Sequence, residues 1–382
     1  MRTFDSIVVG SGVIGSSTAL QLASNGRTLV LEQFRFLHEN GSSHGGSRIF
    51  RHAYEDTAHV RLAVAADAYW VELEKSTGER LLQRTGSIDI GTRGGTELVP
   101  IREALAAAGS RFELLPGSEA AARFPAFALD CDAEALFQPA AGIIPATRAI
   151  ATMLRAAAGR GAVLRDSEEV TRIVPGGDSF EVVTTKGVYT AGQVVVAAGP
   201  WLGRICTDLE LPLRVQQQQV VYLKVGADAS RYMPDSMPVF IDRRATPTGE
   251  FYGFPLYDMP HAIKVGDHAG ASTIDLDERT FRIDEEWLQR TANSARILLP
   301  GLTGEIDSAI TCLYTKTPDE LFILDRHPEY PGLVLAGGGS GHAFKFGPVL
   351  GEAAAALATG GVPVHDITPF SLSRPALKAV GS

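Results

Sequence analysis

The sequence predicts an α/β domain assembled from separate chain segments, with a mostly antiparallel β-sheet domain inserted between them. Three observations carry this. The first thirty or so residues read as strand, glycine-rich turn, helix and strand, the opening of a doubly wound sheet. Two later apolar runs, residues 194–198 (VVVAA) and 333–336 (LVLA), each lead into glycine, like strands ending in tight turns. Between them, residues 215–316 change texture to alternating apolar and polar runs.

Taken in order, residues 7–9 (IVV) are a short buried strand and residues 10–15 (GSGVIG) the turn. Residues 16–25 follow as a helix ended by Gly26, and residues 28–31 are a second strand closed by Glu32. Apolar residues at helical spacing (Leu62, Ala66, Tyr69, Trp70, Leu73) predict a helix over 61–75. Helices are also expected over 100–108 and over the alanine-rich 147–159, with short strands at 86–90, 143–144 and 162–164. Within the inserted part, strands are expected at 220–225, 239–242, 250–254 and 262–265, then a helix over 284–299. Residues 1–84, 141–213 and 318–382 form the first domain on this reading, and residues 85–140 and 214–317 the second.

Composition narrows the function. The 382 residues exceed one hydrophobic core at roughly 100–200 residues per domain. Thirty-five Lys and Arg against 44 Asp and Glu give a net charge of −9, a poor balance for neutralising phosphates, so nucleic acid is not an expected partner. Three widely spaced cysteines (Cys131, Cys206, Cys312) argue against a disulfide framework and against cysteine-based zinc sites, and no metal is expected. The first apolar run is too short for a secretory signal core, and no run approaches the ~18 apolar residues of a membrane span. A cytoplasmic location without membrane attachment is the expectation.

The GxGxxG run follows a strand and opens a helix. Gly10 permits the tight turn, Gly12 lets backbone approach a pyrophosphate, and Gly15 allows close helix–sheet packing. The helix N-terminus favours the diphosphate, and Glu32, seventeen residues after Gly15, suits the ribose hydroxyls. This setting predicts a dinucleotide ligand, and leaves FAD and NAD both open.

Residues 40–54 (NGSSHGGSRIFRHAY) sharpen the choice. A glycine-rich loop with two arginines and two histidines is unusual in an acidic chain, and glycines beside the charges suit close approach to a planar ligand. Together with residues 7–15, 252–255 (YGFP), 264–268 (KVGDH), 311–317 (TCLYTKT), 340–346 (SGHAFKF), 366–367 and 374–377 (RPAL), this stretch resembles the monomeric sarcosine oxidase and N-methyltryptophan oxidase family, within the wider D-amino-acid oxidase and glycine oxidase class. The resemblance spans almost the whole chain.

The resemblance implies a Rossmann-like FAD-binding domain and covalent FAD, attached as a thioether through Cys312. It implies a cofactor shell of Gly10, Gly12, Val13, Ile14, Gly15, Glu32, Ser43, His44, Arg48, Val170, Gly199, Trp201, Cys312, Gly339, Gly341 and Lys345, with backbone N–H groups from Gly339 to Lys345 bonding the flavin's pyrimidine side. Arg51 and Lys345 would clamp a substrate carboxylate, arginine as a planar fork and lysine as a point charge. Tyr252, Tyr314, His268 and His342 would line the substrate cavity, each with an apolar body and a polar tip. Lys264 would help oxygen accept electrons, while Arg48 and His44 favour the reduced ring. Read by themselves, Lys264 on an alternating strand points to solvent as readily as inward, and Cys312 reads as a buried structural thiol, as do Cys131 and Cys206.

Two departures from the family concern specificity. The turn between Ile241 and Tyr252 is longer, and residues 256–263 carry Tyr257, Met259, Pro260 and His261 where the family has small, glycine-rich residues. Both are expected at the entrance, suggesting an N-substituent larger than methyl, with Arg243 or Arg244 meeting a second carboxylate. The expected reaction is oxidation of the C–N bond of a secondary amino acid, an N-alkyl or N-carboxymethyl glycine, to an imine. Oxygen would be reduced to H2O2, with formaldehyde or glyoxylate released on hydrolysis, and a monomer is implied. Two alternatives stand beside this: a flavin dehydrogenase using another acceptor, and a dinucleotide-binding module without redox chemistry.

Overall fold

The computed structural model describes residues 2–244, 250–268 and 271–378. Among these, strands form sheets of eight, nine and three members. The eight-stranded sheet is built on Arg2–Val9, which pairs in parallel with Thr28–Leu31 on one side and Gly187–Val196 on the other. Val163–Arg165 extends it beyond Thr28–Leu31. The long strand Gly187–Val196 serves two neighbours along its other edge. Its first half pairs antiparallel with Ser179–Thr184, and its last three residues pair in parallel with Leu333–Gly337.

Helix Val13–Leu22 starts three residues earlier than the sequence predicts. Gly12 is its N-cap and accepts the first helical bond from Ser16 at 2.8 Å, so the turn is shorter than the glycine run suggests. The helix is built largely of small residues and is buried nearly all round, Ser16, Ser17 and Thr18 included, because it is enclosed. Helix Gly347–Ala358 lies directly on it, and a Cβ at Gly351 would stand 2.3 Å from Ser17 Oγ. Helices Thr57–Thr77 and Ala146–Gly159 complete this face around Trp70, Ile150 and Phe346. Asp56 caps Thr57–Thr77 by accepting from His59 N at 2.9 Å.

The nine-stranded sheet is antiparallel except where Val239–Asp242 runs parallel to Ser87–Thr92. Its longest pairing joins Arg214–Val225 to Leu302–Lys316. The latter is fifteen residues long and was not expected as a strand, because residues 302–311 show no clean alternation. Helix Glu285–Leu298 packs on one face around Trp287 and Leu298. The other face, with Tyr252, Lys264 and Tyr314, turns toward the strand ends of the first sheet.

Candidate active site

One cavity of about 640 Å3 runs from the glycine turn to the face of the antiparallel sheet. Pockets for small ligands span roughly 300–1,000 Å3. Of the residues expected to hold cofactor or substrate, Gly10, Gly12, Val13, Ile14, Glu32, Ser43, His44, Arg48, Arg51, Val170, Gly199, Trp201, Tyr252, Lys264, His268, Cys312, Tyr314, Gly339, Gly341, His342 and Lys345 all line it. Gly15 does not. A Cβ there would stand 2.0 Å from Gly10 O, so its part is the close packing of helix on turn.

At the turn, Gly10 has φ +97°, and a Cβ would meet Ala197 O at 2.5 Å. Glu32 sits buried at the strand tip. Its Oε2 accepts from Ser11 N and Ser11 Oγ, both at 2.9 Å, and its Oε1 from Phe34 N at 3.1 Å, with His38 Nε2 3.3 Å away. Burial alone would raise its pKa, but these donors outweigh burial and hold the carboxyl below its ordinary value. A ribose hydroxyl would exchange with Ser11 Oγ or His38, the two side-chain donors.

At the other end the arginine of residues 40–54 is fixed by backbone. Arg48 donates to Ser47 O at 2.8 Å, Ser42 O at 3.0 Å and His44 O at 2.6 Å. His44 is held neutral, its pKa pushed down to about 3 by burial and then by Arg48 and Arg279, and its Nε2 is buried without a partner. It can therefore bond a ligand but carries no charge near neutrality. Cys312 and Tyr314, two residues apart on Leu302–Lys316, share one strand face. Burial raises the Cys312 thiol, and the nearby Arg48, Lys264 and Arg279 offset this only in part. Cys206 is buried in the core as expected, whereas Cys131 is exposed rather than structural.

Arg51 and Lys345 converge on Tyr54. The Arg51 guanidinium carbon is 4.5 Å and Lys345 Nζ 5.2 Å from the ring centroid. Lys345 donates to Tyr54 Oη at 2.7 Å and His342 O at 2.8 Å. Arg51 Nη1 is buried with no acceptor. Burial, then the Arg51 charge, pushes the Lys345 ammonium well below its ordinary pKa. Two cations crowded in one buried place, one with an idle donor, form a site for an anion. Beside them the His268 ring lies tilted against Tyr252, with centroids 4.8 Å apart, and meets Tyr314 Oη through Nδ1 at 3.3 Å. Burial and then Arg51 push His268 down to about 3, so it too is neutral.

Lys264 is buried and faces inward, resolving the ambiguity of its strand. It donates to Ser47 O at 2.8 Å and to Ser47 Oγ, and lies 3.3 Å from Asp258 Oδ2. Asp258 was missed in the sequence. It stands in a loop with no periodicity, and its one signal was an acid where the resembling family has glycine-rich residues.

Several expectations are corrected. Tyr257 packs near Val239 and Phe254, Met259 packs near Val220, and His261 pairs at the surface with Asp307 at 2.8 Å. No residue from 256 to 263 lines the cavity. Arg243 is held by Asp89 at 2.8 Å, Glu250 at 3.3 Å and Glu55 at 3.5 Å, and Arg244 by Asp242 at 2.7 Å, so neither guanidinium is left for a second carboxylate. The rest of that turn, residues 245–249, lies outside the described residues. Between Gly339 and Lys345, the N–H groups of Ser340, His342 and Ala343 already donate to Thr315 O or Gly339 O, which removes them from the expected flavin contacts. Among the described residues no helix is long and apolar enough to cross a membrane.

A family model described as FAD dependent oxidoreductase matches residues 5–357. The chain belongs to that family. This oxidoreductase is 36% identical over 381 residues to monomeric sarcosine oxidase of Bacillus sp. (strain B-0618), covering 98% of this chain and 97% of the relative. It is 31% identical to N-methyl-L-tryptophan oxidase of Salmonella newport (strain SL254), covering 97% and 99%. The solved structure of NikD, an unusual amino acid oxidase essential for nikkomycin biosynthesis, superposes with a TM-score of 0.85 at 28% identity, over 97% of this chain and 98% of that one. The family and the architecture expected from the sequence, a Rossmann-like α/β part with an inserted antiparallel sheet, are thereby met. The glycine turn, the helix N-terminus and Glu32 at one end, with Arg48, Lys264, Cys312 and the unpartnered His44 Nε2 at the other, fit an FAD-sized ligand.

Proposed function

We propose that this enzyme oxidises the C–N bond of an N-alkyl amino acid of the glycine type, with FAD attached through Cys312 and oxygen as electron acceptor. FAD, when bound, supplies the hydride acceptor; the protein supplies position and field. The observation that carries the proposal is the idle Arg51 Nη1 beside Lys345, a buried donor left for an anion within the same cavity as Cys312. A substrate carboxylate bound there leaves its amine toward neutral His268, Tyr252 and Tyr314. These neutral groups can hydrogen-bond the amine, while burial and the nearby Arg51 charge, which hold His268 neutral, also disfavour an ammonium there and so favour the neutral amine. The names of the sarcosine and N-methyltryptophan oxidases support a secondary amine, and the word monomeric supports a single-chain enzyme. The internal pairing of Arg243 and Arg244 favours an N-alkyl over an N-carboxymethyl substituent. On this reading the imine hydrolyses to amine and aldehyde, and O2 leaves as H2O2.

The purified protein denatured in acid tests the attachment. The yellow colour is expected to stay with the precipitate and to move into the supernatant for Cys312→Ser. A wild-type supernatant that carries all the colour contradicts a covalent bond. Peroxide formed in step with oxygen consumed, and the identity of the aldehyde, distinguish an oxidase from a dehydrogenase and show which C–N bond breaks.

A further inference from the structure

Lys264 has a partner in the loop 256–263. Asp258 and Lys264 are both buried, with side chains 8% and 4% exposed. Asp258 Oδ2 gathers three donors: Ser47 Oγ at 2.9 Å, Tyr222 Oη at 2.9 Å and Lys264 Nζ at 3.3 Å. Ser47 Oγ in turn accepts from Lys264, so hydroxyl, carboxylate and ammonium close a ring. The loop reaches this position because Gly46 is bare. A Cβ on it would stand 2.3 Å from Asp258 Oδ1.

The charges around Lys264 show what this carboxylate does. Arg48 approaches from strand Arg48–Phe50 and His44 from the loop before it. Cys312 approaches from Leu302–Lys316, while Tyr222 and Tyr252 come from two further strands of the antiparallel sheet. The arginine is cationic, and the histidine, thiol and phenols are neutral at physiological pH. Asp258 is the carboxylate in this group. A buried ammonium beside an arginine would otherwise lose its proton readily.

We propose that Asp258 is a positioning residue for Lys264, holding it in the ring with Ser47 and keeping it protonated beside the cofactor. The inference rests on the reading above, in which FAD fills the cavity and Lys264 assists oxygen. Burial brings the Lys264 ammonium down to about 8 even with Asp258 opposing the fall, which leaves its ionisation within reach of measurement.

The test is a pH titration of the visible absorbance of the oxidised holoenzyme without substrate, beside the pH dependence of its reoxidation by oxygen. Lys264→Gln identifies the transition belonging to Lys264 by abolishing it. Asp258→Asn is expected to shift that midpoint downward by at least one pH unit, a tenfold change in the protonation equilibrium. Asp258→Glu is expected to restore most of it, and anaerobic reduction by substrate should change by less than about threefold in either variant. If Asp258→Asn does not fold, Ser47→Ala, which removes the shared hydroxyl, is expected to shift the midpoint in the same direction. A midpoint unmoved in Asp258→Asn, or in Ser47→Ala where that stands in, while Lys264→Gln abolishes it, overturns the role of Asp258 alone. A transition that survives Lys264→Gln overturns the reading of Lys264, and the role of Asp258 with it.

Discussion

Arg51 and His44 show how differently single residues in this site use burial. Arg51 keeps an idle donor against the ring of Tyr54, an arrangement that costs stability until an anion arrives. His44 is buried neutral, its pKa displaced from 6.5 to about 3 by burial and then by Arg48. The sign of the consequence follows from proton counts. Below about pH 6.5 the unfolded chain binds a proton at His44 that the folded chain refuses until about pH 3, so stability falls with pH across that window. The slope reaches about 1.4 kcal/mol per pH unit for this group. His44→Gln is expected to flatten the decline in thermal unfolding midpoint between those limits. An unchanged profile would mean that His44 is charged in the folded protein. Most of the cavity's side chains were legible through the resemblance of their motifs to a known family, while residues 40–54 stood out unaided, as charge beside glycine in an acidic chain. Asp258 was not legible, since a loop acid has no period and its partner lies on another strand. Arg243 and Arg244 were misread for the same reason: sequence showed two cations but not the carboxylates that hold them.

At the scale of elements, the glycine turn separates two tasks that its motif merges. Gly15 faces Gly10 O at 2.0 Å from an added Cβ, whereas an added Cβ at Gly12 would first meet Ser43 Oγ at 3.2 Å on the cavity side. Gly15→Ala is expected to destabilise the fold by about 1–3 kcal/mol through overpacking. Gly12→Ala is expected to leave the unfolding midpoint of the flavin-free protein close to wild type while lowering the fraction of molecules that retain flavin. Equal losses of stability in both variants would contradict this division. The first βαβ unit was legible because strand, turn and helix are contiguous and each has its own signature. Strand Leu302–Lys316 was not, because it is ordered by its long register against Arg214–Val225 rather than by its own alternation. Periodicity also could not say which face of Ala262–Asp267 carries Lys264 inward; that is decided by pairing with Arg214–Val225 and Phe251–Gly253.

The whole molecule places the ends of the parallel strands of a mixed sheet against the face of a mostly antiparallel one, and the cavity is the space between them. Each sheet contributes what the other lacks. The first brings the glycine turn, the helix N-terminus and Glu32, which suit a dinucleotide. The second brings Cys312, Lys264, Tyr252 and Tyr314, while the segments around Arg51 and Lys345 close the end where a carboxylate would sit. The two-part architecture could be inferred from texture alone, since residues 215–316 differ so clearly from what surrounds them. The convergence of Cys312, Arg51 and Lys345 on one cavity was expected through the family resemblance alone, because nothing in a linear pattern by itself brings positions so far apart to one place. The most direct measurement is anaerobic mixing of the yellow enzyme with N-methylglycine, and with an N-methylated amine of similar size lacking the carboxylate. The account predicts bleaching by the amino acid, little or none by the simple amine, and loss of that discrimination in Arg51→Met. Equal bleaching by both compounds in the wild-type enzyme would contradict it.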